Sequence, residues 1–210
     1  MHLWGTRPVT DEATTGPATP AEREFRVLPG RDDAEWLFLD VDSADPTYVP
    51  REAAPDVEAG NRVRATLSWD EDEPVVEDLA LEAATTVAFV ETAEPIFGPA
   101  QQCFERARAD GEPMNSRVTY GTDNEPNGVV YTFADQPGSR DLLAEFRDGG
   151  KPLEPLVDRA ARSEDVEPPF SVYVIEPEEP FLVVYIVLEP DGLLDETVAD
   201  TYLRVGASEQ

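Results

Sequence analysis

The longest apolar run in the chain, Phe181 to Leu188, has the length of a β-strand and not of a helix. It has no polar position at which one face could meet water, so both faces need cover. A strand of this kind sits in the interior of a sheet with structure packed above and below it. This rules out any fold built only from sheets solvated on one side. Phe170 to Ile175 precedes it as a second strand. No stretch approaches the roughly 18 consecutive apolar residues of a membrane span.

A second kind of strand dominates the N-terminal half. From Asn61 to Trp69 the residues alternate, with Val63, Ala65, Leu67 and Trp69 on one face and Arg62, Arg64, Thr66 and Ser68 on the other. That period of two marks a half-buried antiparallel strand. Glu24 to Leu28, Glu35 to Asp42, Val75 to Leu81 and Thr85 to Glu91 complete a set of five, punctuated by Pro29-Gly30 and by the acidic turn Asp70 to Pro74. Ser43 to about Gly60 is rich in Pro and Asp and is expected to be a loop. Five short strands in so little chain predict an antiparallel β-barrel or strongly curled sheet over residues 22–92. Residues 1–21 have no period and read as a flexible leader, with Trp4 a candidate for local docking.

Beyond residue 92 the period changes. Ala100, Cys103, Phe104 and Ala107 fall at helical spacing, with Gly111 as a stop. Strands are expected at Arg117–Tyr120 and Gly128–Phe133, joined through Asn127-Gly128. Further helices are expected after a Ser139 cap, around Leu153 to Ala161, and from Leu193 to Leu203. The fold class is therefore α+β: a barrel-like half at 22–92, then an α+β half at 93–210 with antiparallel strands and three to four helices. Whether the halves are separate domains or one fused core is left open by the pattern.

Charge narrows the setting. The chain carries 45 acidic and 16 basic residues, a formal net charge of −29, and the acids are spread along its whole length. Such a charge destabilises a compact state by self-repulsion. In about 1 M salt the Debye length falls to roughly 3 Å and that repulsion is screened. Lys151 is the sole lysine; the other basic residues are arginines, whose planar fork is weakly hydrated and pairs with carboxylates. An acid-rich, lysine-poor surface predicts a cytoplasmic protein adapted to high salt, with the ions of the solvent as its constant partners. No secretory signal is expected at the N-terminus.

The sole histidine, His2, lies in the leader, which leaves Ser-His-Asp and Cys-His chemistry and most zinc sites without a ligand or base. Cys103 sits on the apolar stripe of its own helix and reads as a core residue, although Arg106 three positions on admits a nucleophile. Asp40 with Asp42, and Asp123-Asn124-Glu125, lack the spacing of a calcium loop. No phosphate-binding glycine motif occurs, so no cofactor and no metal is expected. The residues most suggestive of a ligand are Trp36, Phe38, Arg62 and Arg64. The aromatics project away from the Leu37/Leu39/Val41 face, and the arginines share a strand face. Small barrels bind single-stranded nucleic acid with such a mixture, bases stacking on rings and guanidinium groups meeting phosphates. The competing reading pairs the arginines with neighbouring carboxylates and packs the rings inward.

The stretches Asn61 to Trp69, Pro95-Ile96-Phe97 leading into the Cys103 helix, and Ser171 to Ile175 with its partner strand together resemble a haloarchaeal family of unknown function. The N-terminal half is also loosely similar to an oligonucleotide-binding or TRAM-type small β-barrel. The family resemblance implies no catalytic residue. The leading expectation is a non-enzymatic binding or scaffold protein with an unidentified protein partner. The alternatives are single-stranded nucleic-acid binding through the N-terminal barrel and a divergent metal-dependent hydrolase.

Overall fold

The computed structural model describes residues 21–135 and 141–203. The leader, His2, Trp4 and the expected Ser139 cap lie outside them.

Five strands form the first sheet: β1 (Ala21–Pro29), β2 (Glu35–Asp40), β3 (Pro46–Pro50), β4 (Arg62–Asp70) and β5 (Glu73–Ala83), in the order β3-β2-β1-β4-β5, every pair antiparallel. Four lie where the periodicity places them. β3 falls inside the stretch expected to be a loop. Its ends are Pro46 and Pro50, and proline cannot donate to a ladder, so this strand is tolerated only because it is an edge. Phe25, Val27, Trp36, Phe38, Val49, Val63 and Ala65 all point into one apolar cluster. β3 and β5, the two edges, approach each other without hydrogen bonding, so the sheet is curled around that cluster and does not close into a barrel.

The second sheet contains β6 (Thr86–Thr92), β7 (Met114–Tyr120), β8 (Pro126–Ala134), β9 (Ser171–Pro177) and β10 (Phe181–Val187), ordered β6-β9-β10-β8-β7. β10 is the central strand and every residue of it is buried, as a strand apolar on both faces requires. Phe181, Val183, Tyr185 and Val187 face α1 (Gly98–Asp110) and α4 (Leu193–Tyr202). Leu182, Val184 and Ile186 face α2 (Leu142–Arg147), α3 (Glu154–Glu164) and the back of the first sheet. Within this sheet β6 pairs parallel with β9, and the other pairs are antiparallel.

β6 therefore belongs to the second sheet, although it lies within the 22–92 stretch read as the barrel-like half. The chain changes sheets between Ala83 and Thr86. The two sheets also share a core: Leu28, Leu37 and Leu39 from β1 and β2 pack with Val87, Val129, Val172 and Val184. At the seam, Val87 N–H donates to the Ala59 carbonyl at 2.8 Å and the Asn61 side chain donates to the Thr85 carbonyl at 3.1 Å. Gly60 has φ +101, and a Cβ there would stand 2.3 Å from the Val87 nitrogen. Only glycine fits both the backbone and the approach.

The helices lie where the sequence places them, except that α2 begins at a cap two residues beyond the expected Ser139. Ala100, Cys103, Phe104 and Ala107 are the buried residues of α1, and Gly111 ends it at φ +72. Asp141 caps α2 by accepting the Ala144 N–H at 2.9 Å. Among the described residues no helix is long and apolar enough to cross a membrane.

Candidate functional site

The four residues singled out in the sequence do not share one surface. Trp36 and Phe38 are 9% and 0% exposed, inside the curled sheet. The indole N–H donates to the Ala54 carbonyl at 3.3 Å, and the Arg51 guanidinium lies 3.8 Å from the ring centroid. The Phe38 ring packs on Phe25 at 5.7 Å. Arg62 and Arg64 leave β4 on the opposite face. The Arg62 Nε donates to Glu24 Oε2 at 2.9 Å; Arg64 Nη2 stands 3.1 Å from Glu82 and 3.8 Å from Glu24. The arginines thus share Glu24 among a set of glutamates, while the two aromatics belong to one apolar cluster in the core.

Cys103 and Asp40 are structural. Cys103 is buried, receives the Thr132 hydroxyl at 3.5 Å, and has its thiol pushed above the ordinary range by that burial. Partial burial pushes the Asp40 carboxyl up. The N–H groups of Ser43 and Asp42, together with Arg23 at 3.1 Å, outweigh it and hold the carboxyl below the usual range. Among the described residues no group of three or more His, Cys, Asp or Glu side chains is arranged to hold a metal.

An open cleft lies elsewhere, on the face of the second sheet covered by α1 and α4. Phe97, the N-cap residue of α1, stacks on Tyr185 of β10 with centroids 4.6 Å apart, and Tyr202 of α4 is tilted against it at 6.4 Å. The Tyr202 hydroxyl accepts the Phe97 N–H at 3.0 Å and donates to the Pro95 carbonyl at 3.2 Å. Thr119 donates to Asn127 Oδ1 at 2.8 Å and lies 2.9 Å from the Tyr185 hydroxyl, so the tyrosine donates to the threonine. Gly128 makes room for this: a Cβ there would meet the Tyr185 ring at 2.6 Å. Burial pushes both phenols above their ordinary values, and they remain neutral donors. Tyr173 fixes the start of α4 by donating to Asp195 at 2.6 Å.

These groups line a hollow of about 370 Å³, with Tyr120 and Leu194 at its mouth. A second hollow of about 410 Å³ adjoins it, sharing Tyr120, Asn127, Leu194 and Thr197, and adds Asp123, Glu125 and Glu189. Tyr120 is 57% exposed and Leu193 81%. The lining offers ring faces, methyl groups, hydroxyls and a carboxamide, a surface that binds by stacking and hydrogen bonding. The sequence places Tyr120 at the end of a strand and Tyr202 within the last helix without joining them. The available signal was Pro95 and Phe97 immediately before α1, with Pro99 in its first turn.

Fold and cleft together define an α+β protein of two stacked five-stranded sheets with helices on both sides of the second. The chain belongs to a family of unknown function (DUF6663), whose model matches residues 18–208. No curated protein and no solved structure matches it.

Proposed function

We propose that the chain is a non-enzymatic binding protein of a high-salt cytoplasm and that the cleft beside α4 is its binding site. The observation that carries this reading is the open aromatic hollow formed by Phe97, Tyr120, Tyr185 and Tyr202, with large apolar side chains exposed at its rim on an otherwise highly charged chain. Its hydroxyls are held by bonds to protein groups, which fixes the shape of the hollow before a ligand arrives. The high-salt setting is supported by the net charge of −29 and the single lysine.

Single-stranded nucleic-acid binding through Trp36, Phe38, Arg62 and Arg64 has less support. Both rings are core residues, and the arginines stand among Glu22, Glu24 and Glu82. The test is a screen of neutral aromatic and aliphatic fragments by protein-observed NMR in molar KCl. Shift changes should concentrate on Phe97, Tyr120, Tyr185 and Tyr202. Hits that map elsewhere, or none at all, would overturn the assignment of the cleft.

A further inference from the structure

The cleft has two chemically distinct ends. One is aromatic: Phe97, Tyr185 and Tyr202 close its floor and Tyr120 stands at its mouth. The other is acidic: Asp123, Glu125 and Glu189 line it and no basic side chain does. Two of these carboxylates lie close to glycines of their own turns. A Cβ at Gly121 would lie 2.7 Å from Asp123 Oδ1, and one at Gly192 would lie 3.3 Å from Glu189 Oε2. Asp123 accepts the Glu125 N–H at 3.1 Å, and Glu189, two residues beyond β10, accepts the Gly192 N–H at its carbonyl at 3.2 Å. These carboxylates sit on ordered backbone, while Tyr120 and Asn127 belong to both ends.

We propose that the double cleft binds a small amphipathic organic cation, its ring or alkyl body against the aromatic end and its ammonium group toward Asp123 and Glu189. The inference rests on the cleft being the binding site. Ring faces carry negative quadrupole density and the other end carries carboxylates, so both ends favour positive charge and neither offers an anion a basic side chain. A neutral ligand of the same shape gains the aromatic end alone. Molar salt weakens the long-range attraction of the whole chain, so selectivity there has to come from contacts made within the cleft.

Three probes of one shape decide the matter: 2-phenylethylammonium, 2-phenylethanol and phenylacetate, titrated by calorimetry in about 1 M KCl. The cation should bind about fivefold tighter than the alcohol, and the anion weakest. The double substitution Asp123→Asn with Glu189→Gln, both at exposed positions, should bring the cation to the alcohol's affinity and leave the alcohol unchanged. Tyr120→Ala should weaken all three. If alcohol and cation bind equally, the cationic ligand is overturned while the cleft stands. If no probe binds, the cationic ligand is again overturned, and the fragment map decides the cleft separately. If Tyr120→Ala weakens none of the probes that bind, both readings fall.

Discussion

Arg26 shows what a single buried charge does here. Its side chain and that of Glu154 are 3% and 8% exposed, with Nε 2.7 Å from Oε1, and Nη1 donates to the Gly60 carbonyl. One guanidinium thus joins β1, the start of α3 and the seam between the sheets. Removing one partner strands the other charge away from water, at a cost of about 3–5 kcal/mol. We expect Arg26→Met to lower stability by that amount in chemical denaturation at high salt, and Arg26→Met with Glu154→Leu to recover much of it. A single substitution that costs under about 1 kcal/mol would mean the pair is hydrated. The sequence places Arg26 on a strand, as it does Arg62 and Arg64, yet the three differ. The periodicity cannot say which arginine finds a partner 128 residues away and which stays on the surface.

The same limit governs whole elements. β6 reads correctly as a strand, but its partner is β9, across α1, β7, β8, α2 and α3. A strand-length pattern specifies a face to be covered and carries no record of the neighbour. β3 is missed for the opposite reason: prolines at both ends outweigh its short apolar content, and only an edge position allows it. The strands and helices whose period is long and clean, β4, β10 and α1, were legible from sequence. The β6–β9 register sets Glu91 opposite Glu176. Burial first, then Asp141, Glu91 and Asp135, push the Glu176 carboxyl above the usual range. A carboxyl raised in the fold is less readily ionised there than in the unfolded chain. It therefore costs stability above the unfolded pKa, and the cost fades as pH falls below it. Glu176→Gln should raise the unfolding midpoint at neutral pH in about 0.5 M KCl by roughly 1–3 °C. The gain should shrink in about 3 M KCl and vanish near pH 4. A gain independent of salt and pH would show that the carboxylates around Glu176 do not act on it.

At the scale of the molecule, two sheets that share an apolar cluster, with helices packed on the second, carry a surface dominated by carboxylates. The acid excess was plain in the sequence because composition needs no fold to be read. The cleft was not, since Phe97, Tyr120, Tyr185 and Tyr202 come from separate parts of the chain and meet only when β7, β10, the start of α1 and α4 are packed. The wealth of acids also hides Asp123 and Glu189, which line the same hollow only in the fold. If the charge is matched to molar salt, the fold should depend on that salt throughout. The most direct measurement is the unfolding midpoint of the full chain at neutral pH as KCl is raised from about 0.1 M to about 3 M. The account predicts a continuous rise of about 10 °C or more, with the fold lost on dialysis into dilute buffer. A midpoint unchanged across that range would contradict it.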